Sequence, residues 1–365
     1  MQNKTAISLF CGAGGMDVGF KKAGFEVLWA NDFDSDACAT YRENLGSHVV
    51  CGDINGLISD LDDFQGVDCV FGGPPCQGFS VAGRMDPADE RSKLVMSFME
   101  VVEKVQPSSF VMENVKSLGV LDKFKLVRES IFKQAKSLGY HVELLILNSK
   151  DFGVPQSRER MFIVGFKSKK YVGSLSDFLG GFYRKSPVVR DVIARLGPAG
   201  SENNPKTVKA RISLAKNPVL RKSPYAGMLF NGQGRPVDPD CYSSTLHASM
   251  GGNRTPIIDE KQLYEGAEGW VIKYHQHLME GGAPFEKDEA PNFLRRMTVD
   301  EAHLLQTFPE NFHFAGKQSS VFRQIGNAVP CNLAQSVAEM VMDALNGNLR
   351  LNLNRDEVQT LPLAI

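Results

Sequence analysis

The sequence predicts an α/β fold, a doubly wound sheet joined by a smaller, loop-rich domain. Three observations predict it. Short apolar runs alternate with helical patterns from Thr5 to Gly165, the arrangement that buries a sheet between helices. The first run passes directly into Phe10-Cys11-Gly12-Ala13-Gly14-Gly15, a turn that lets the backbone approach a ligand at a strand's carboxyl end. Over residues 186–292 the alternation dissolves into Gly, Pro, Asn and Ser, although Leu246, Ile257, Ile258 and Trp270 still supply core.

The elements follow in order. Residues 5–10 read as a buried strand, and 27–30 as a second, ending at Asn31-Asp32. Further strands are expected at 69–71, 109–112, 142–147 and 161–165. Residues 92–105 carry Leu94, Val95, Phe98, Val101, Val102 and Val105 at helical spacing and stop before Pro107. A second helix covers 122–138, closed by Gly139. Thr298-Val299-Asp300-Glu301 has the form of a capping box opening a helix. A last helix covers 332–345, and the tail beyond Gly347 is peripheral. One domain is therefore expected from 1–185 plus 293–365, and the second from 186–292.

The chain has 365 residues, 42% hydrophobic and 23% charged, enough for a large core plus a smaller unit. Its net charge is -1, but the charge is unevenly spread. From Arg184 to Arg235 there are eleven Lys/Arg and two acidic residues. A basic block on an otherwise acidic chain suits phosphate binding; a solvated lysine-rich face is the ordinary alternative. Seven irregularly spaced cysteines do not resemble a disulfide framework. His275 and His277 lack further zinc ligands, so no metal is expected. The chain shows no signal-peptide pattern and no apolar run of membrane-spanning length. A reducing cytoplasm is the expected compartment, and no membrane partner is expected.

The most informative stretch is Phe71-Gly72-Gly73-Pro74-Pro75-Cys76-Gln77-Gly78-Phe79-Ser80. A lone cysteine is ordinarily a small core hydrophobe. Cys76 instead follows two glycines and two prolines at a strand end, where functional groups collect. Glu113 and Asn114 end another apolar run, and Gln156-Ser157-Arg158-Glu159-Arg160 precedes a third. Alone, Glu113 could cap a helix, and Arg158 and Arg160 could be a solvated pair.

In this order, Phe-x-Gly-x-Gly-Gly, Pro-Cys-Gln, Glu-Asn-Val, Gln-x-Arg-x-Arg and Gly-Asn-Ala-Val-Pro resemble the cytosine-5 DNA methyltransferase family of the bacterial restriction-modification type. The resemblance runs from about Ile7 to Val337, apart from the variable stretch. It implies a Rossmann-like domain dependent on S-adenosylmethionine, with S-adenosylhomocysteine as product. Phe10, Cys11, Gly12, Ala13 and Gly14 would hold the cofactor. Asp32 would take its ribose hydroxyls and Phe33 would pack on the adenine. Asp53 and Ile54 would flank that ring, and Pro75, Leu94, Asn327, Ala328 and Val329 would complete the pocket. Ser8 stands where many members carry aspartate, so one contact near the methionine end differs.

The resemblance also implies a mechanism. Cytosine C5 is too weak a nucleophile to attack a sulfonium methyl unaided. Addition of a thiolate at C6 makes the ring an enamine, and Cys76 is the candidate nucleophile. Glu113 would bind cytosine N3 and N4 and share a proton with N3. Arg160 would bind O2, and Arg158 would help order the site. The target base must leave the duplex stack, and residues 77–91 would close over the DNA. Residues 186–292 occupy the position of a target-recognition domain, with Ser243–His247 and Gly251–Arg254 as candidate groove loops. Expected partners are double-stranded DNA and a restriction endonuclease acting separately, with the chain a monomer near a bacterial nucleoid.

Three other readings belong beside this one. A nicotinamide-dinucleotide enzyme would need a third glycine at position 17, where this chain has Asp17. A tRNA cytosine methyltransferase of similar fold tends to carry Cys-Phe-Thr, which is absent. A DNA-binding protein without catalysis would not need thiol, acid, arginine and cofactor loop together.

Overall fold

The structure, a computed structural model, describes residues 4–75 and 90–349, with side chains from 93 onward in the second stretch. Cys76, the expected closing loop and the side chain of Arg91 lie outside the described residues. The chain forms two compact units. The first comprises residues 1–153, 159–185 and 331–365, and the second 154–158 and 186–330.

The strands of the first unit are β1 (Lys4–Leu9), β2 (Phe25–Asp32), β3 (Val49–Cys51), β4 (Cys69–Gly72), β5 (Ser109–Val115) and β6 (His141–Asn148). After the short β7 (Gln156–Ser157) of the second unit comes β8 (Glu159–Phe166), which completes one seven-stranded sheet in the order β3-β2-β1-β4-β5-β8-β6. The left part is parallel, but β8 runs antiparallel to both β5 and β6. A short connection from β6 to β8 allows antiparallel pairing without a helical crossover. The helices are α1 (Gly15–Lys22), α2 (Ser35–Asn44), α3 (Glu90–Val105), α4 (Lys116–Val120) and α5 (Lys125–Ser137), with a final helix, Cys331–Asn346, returning to this unit.

Strands buried on both faces read as continuous apolar runs. Val70, Phe71, Phe110, Val111 and Met112 are accordingly fully buried, as are Phe98, Val101 and Val102 of α3. Each such side chain contributes about 1.5–3 kcal/mol by leaving water. The strand order reverses between β1 and β4. Ligands of such sheets bind outside the carboxyl ends at that reversal, which is where the glycine-rich turn and the Gly73-Pro74-Pro75 run begin.

The second unit contains β7, β9 (Leu214–Val219), β10 (Met228–Phe230), β11 (Ser243–Ser244), β12 (Ile257–Asp259) and β13 (Leu294–Arg296), joined in three two-stranded pairs. Its helices are α6 (Val189–Ile193), α7 (Glu260–Glu265), α8 (Trp270–Met279), α9 (Val299–Leu305) and α10 (Gln318–Asn327). One core gathers Val189, Ile193, Val237, Leu246, Leu305, Phe322 and Ile325. Another gathers Leu214, Phe230, Ile257, Val271 and Tyr274, on which Trp270 stacks at 4.8 Å.

By contacts between its residues this unit runs from 186 to 330, with 154–158. Residues 293–330 were expected to rejoin the first domain; they pack into the second. The reason is amphipathic burial: α9 and α10 place Val299, Ala302, Leu305, Val321 and Ile325 in the core with α6. The capping box of α9 is present, with Thr298 Oγ1 accepting from Glu301 N at 3.1 Å and Glu301 Oε2 accepting from Thr298 N at 2.9 Å.

Candidate active site

The glycine-rich turn begins where β1 ends. Phe10, expected to close the strand, has φ 52°, and Gly12 has φ 55°. A non-glycine residue in the left-handed region stores strain, a frequent feature of ligand sites. A β-carbon at Gly12 would meet nothing within 4 Å, so the turn leaves open space above its backbone. Asp32, at the end of β2, braces it: its carboxylate accepts from Gly12 N at 2.7 Å and Asp34 N at 2.8 Å. Burial pushes the Asp32 pKa upward, and the amides of Asp34 and Gly12 pull it part of the way back.

Phe33 follows with a ring 79% exposed, an apolar plate beside a carboxylate. Gly52 N donates to Asp32 O at 3.0 Å and so draws the end of β3 alongside. There Asp53 caps residues 54–56, and Ile54 is buried in the same cluster that Phe10 and Leu94 pack against. The turn, Cys11, Ala13, Gly14, Asp32, Phe33, Asp53, Ile54 and Leu94 thus belong to one carboxyl edge. Asn327, Ala328 and Val329 stand at the end of α10 in the second unit, where Gln306 Nε2 donates to the carbonyls of Ile325 and Ala328 at 2.6 and 2.9 Å.

Beneath the turn is a group that sequence reasoning did not select. Asp17, on α1, is 1% exposed and accepts from Tyr41 Oη at 2.9 Å. Tyr41 Oη in turn lies 3.0 Å from His48 Nε2. Burial raises the Asp17 pKa to about 7, against the opposing pull of the Ser8 and Tyr41 hydroxyls. Ser8, itself fully buried, is therefore neighbour to a carboxyl carried by α1. Because the folded pKa exceeds the ordinary 3.8, the native state holds the extra proton between these values. The stability from that proton is full below pH 4 and is lost as pH rises through about 7. Asp17→Asn is expected to flatten this slope and to raise stability at pH 8 by a few kcal/mol relative to wild type. Urea denaturation at pH 5 and pH 8 measures it; an unchanged slope would discount Asp17 as its source.

The second cluster forms where β4 and β5 end. A β-carbon at Gly72 would collide with the Leu9 carbonyl oxygen, and one at Gly73 would lie 2.9 Å from Glu113 Oε2. Gly72 thus passes where no side chain fits against the Leu9 backbone, and Gly73 brings the chain leading to Cys76 close beside the acid. Asn114 Nδ2 donates to Pro74 O at 3.0 Å and fixes the path of that chain. Glu113, 9% exposed, pairs with Arg160 Nε at 3.0 Å. The pairing of Val115 with Arg160 and Glu113 with Phe162 makes Arg160 a diagonal neighbour of Glu113. Arg160 Nη1 also donates to Glu159 O at 2.8 Å.

Arg158, two residues earlier, goes elsewhere. It is 2% exposed within the second unit, donating to Leu246 O at 2.8 Å and Gly326 O at 2.9 Å. Of the four residues expected to do chemistry, Glu113 and Arg160 are brought together, Arg158 braces the carbonyls of Leu246 and Gly326, and Cys76 is outside the described residues. Buried thiols among the described residues are poor nucleophiles: burial raises Cys69 to about 12 and Cys11 well above its ordinary value. Among the described residues no cluster of potential metal ligands occurs, and no helix is long and apolar enough to cross a membrane.

Comparison with known proteins gives the family and the fold. Residues 4–343 match the profile of the family described as C-5 cytosine-specific DNA methylase. The chain is 32% identical over 348 residues to the Type II methyltransferase M1.HphI of Haemophilus parahaemolyticus, covering 93% of this chain and 86% of that one. It is 31% identical to the Type II methyltransferase M.NgoPII of Neisseria gonorrhoeae, covering 93% and 95%. Among solved structures, the S. pombe Dnmt2 methyltransferase superposes with a TM-score of 0.69 at 19% identity, covering 94% of this chain and 100% of that one. A prophage-encoded E. coli protein described as a DNA modification methyltransferase gives 0.64 at 23% identity, covering 94% and 99%. These two likenesses concern the fold.

Proposed function

This chain belongs to the C-5 cytosine-specific DNA methylase family and is a DNA cytosine-5 methyltransferase; on that premise we propose that it methylates C5 of one cytosine within a short double-stranded sequence, through base flipping and a covalent bond from Cys76 to C6. The observation that carries the reading is the Glu113–Arg160 pair, held at the carboxyl edge against Gly73, three residues before Cys76.

S-adenosylmethionine is the proposed cofactor, and when bound it supplies an electrophilic methyl group. The residues fit such a nucleoside: an open glycine turn at Gly12, a carboxylate at Asp32 and an exposed ring at Phe33. Asp32 would take the ribose hydroxyls and Phe33 and Ile54 the adenine, while Pro75 and Leu94 would close the pocket. Asp32→Asn exchanges an oxygen that accepts a backbone amide for a donor, at a cost of about 1–3 kcal/mol. Affinity for S-adenosylmethionine is expected to fall about 5- to 100-fold, as measured by calorimetry. Wild-type affinity in that variant would remove Asp32 from the site.

The chain's own groups carry out the rest. Cys76 adds to C6 and turns C5 into an enamine carbon. Glu113 binds N3 and N4 and offsets charge developing on the ring by sharing a proton with N3. Arg160 binds O2 and holds the Glu113 carboxyl in place. Once C5 is methylated, loss of its proton expels Cys76 and restores the aromatic ring. Residues 186–292 read the DNA sequence in this proposal. Their exposed Lys206, Lys209, Arg211, Lys216, Arg221 and Lys222 suit phosphate contact. A separate restriction endonuclease, a monomeric state and a cytoplasmic location complete the proposal.

Bisulfite sequencing of plasmid DNA from methylation-free cells expressing the chain tests it. Protected cytosines in one short recurring sequence are expected. A folded, soluble protein that protects none would overturn the proposal.

A further inference from the structure

Two thiols meet behind Asp32 and Phe33. Asp34 caps α2 by accepting from Asp36 N at 3.0 Å and Ala37 N at 3.2 Å, which starts the helix directly after Phe33. One turn in, Cys38 is fully buried, and its Sγ donates to Asp32 O at 3.4 Å. Cys51 ends β3, opposite Asp32 in the parallel pairing of β2 with β3. It is exposed, and its Sγ donates to Phe33 O at 3.9 Å. The two sulfurs thus reach the carbonyls of consecutive residues, and a hydrogen bond joins one thiol to the other. The pair escapes sequence spacing because its members sit on a helix and a strand that only folding brings together.

An exposed thiol backed by a second one is the arrangement in which oxidation of the first is captured by the second. Burial, then the hydrogen bond and the charge of Cys51, push the Cys38 thiol up to about 12. Cys38 is therefore not the first to react. Two of those causes belong to Cys51 and vanish once that sulfur is oxidised and uncharged, which leaves Cys38 to act second.

We propose that Cys38 and Cys51 form a modification site, a thiol pair that hydrogen peroxide converts to a disulfide, and that the disulfide weakens cofactor binding at Asp32 and Phe33. The second half rests on the reading of this edge as the S-adenosylmethionine site. In the first step the Cys51 thiolate attacks a peroxide oxygen and the O–O bond breaks. The departing hydroxide takes up the proton that Cys51 released and leaves as water, and Cys51 becomes a sulfenic acid. The Cys38 sulfur then attacks the Cys51 sulfur, the S–O bond breaks, and the hydroxyl leaves with the Cys38 proton as a second water. Two thiols have lost two electrons, and one peroxide has gained them. The sulfurs close to about 2.05 Å. Both S–H donors are consumed, so the carbonyls of Asp32 and Phe33 lose them, and Cys51 is drawn toward α2 together with the adjoining Asp53 and Ile54.

The test uses the full chain carrying Cys76→Ser, so that the proposed nucleophile can neither pair nor oxidise. The protein is treated with hydrogen peroxide, digested without reductant and mapped by mass spectrometry. Calorimetry with S-adenosylmethionine is run before oxidation, after it and after re-reduction with dithiothreitol. A peptide cross-link between Cys38 and Cys51 is expected, with affinity falling about 3- to 30-fold and returning on reduction. Cys51→Ser, at an exposed position, should bind within about twofold of its parent when reduced and keep that affinity after peroxide. Cys38→Ser should form no cross-link and leave Cys51 as a sulfenic acid that dimedone traps. If the reduced parent binds no S-adenosylmethionine, the cofactor reading fails, and the peptide map still decides the modification site. Oxidation of Cys51 without a cross-link to Cys38, or a cross-link of either to another cysteine, overturns the pair. A complete cross-link with unchanged affinity, or an equal loss in oxidised Cys51→Ser, overturns its effect on the cofactor.

Discussion

Cys76→Ser is expected to lower methyl transfer by at least about four orders of magnitude while cofactor affinity stays within about twofold of wild type. The reason is the chemistry of the addition to C6. An unperturbed thiol is about 3% thiolate at pH 7, and that fraction is a strong nucleophile toward a conjugated ring. A serine hydroxyl ionises far less and is a poorer nucleophile when neutral. The substitution removes one sulfur and leaves Gly73, Pro74 and Asn114, which set the path of the chain. Single-turnover transfer of labelled methyl groups and calorimetry with S-adenosylmethionine measure the two quantities. A duplex with 5-fluorocytosine at the target adds a direct readout. Fluorine cannot leave C5 as a proton does, so wild type should remain covalently attached to it in denaturing gels and Cys76→Ser should not. Turnover within tenfold of wild type in the variant would remove Cys76 from the reaction.

The second large effect is expected at Glu113. Glu113→Gln preserves size and keeps an acceptor and a donor for cytosine N4 and N3, so base recognition should survive. It removes the exchangeable acid proton and the ion pair with Arg160, 3.0 Å away. Acid catalysis of this kind contributes about 10²- to 10⁴-fold. The rate of the chemical step should fall within that range, while KM for DNA moves severalfold at most. Quenched-flow measurement separates the two. A fall in affinity without a fall in rate would make Glu113 a binding group only.

The sheet was legible because its central strands are buried on both faces. Runs such as 69–71 and 109–112 have no polar face to obscure them, and they are found as Cys69–Gly72 and Ser109–Val115. Helix 92–105 is found as Glu90–Val105, since its apolar spacing and Pro107 mark both face and stop. The edge strand Val49–Cys51 carried too few residues for a period to show. The antiparallel direction of β8 was not legible either, because apolar composition carries no direction.

The candidate site divides in the same way. Order and chemical type were local facts: glycine turn, Asp32, Glu113 and Arg160 lie in short stretches at strand ends. The divergence of Arg158 from Arg160 was not, for the carbonyls that hold Arg158 belong to Leu246 and Gly326, far along the chain. Asp17 entered the sequence reading only as the residue standing in place of a third glycine; its burial, which raises its pKa to about 7, belongs to the folded chain.

By itself, then, the sequence determined the alternating fold and the residues at the strand ends, which are written in composition and spacing within a few residues, and it carried the resemblance to the family in five motifs ordered along the chain. Only the tertiary structure decided which core residues 293–330 join and which arginine meets Glu113. Those outcomes depend on contacts between segments tens to hundreds of residues apart. No local pattern encodes them, since burial and the choice of hydrogen-bond partner exist only once the chain has closed upon itself.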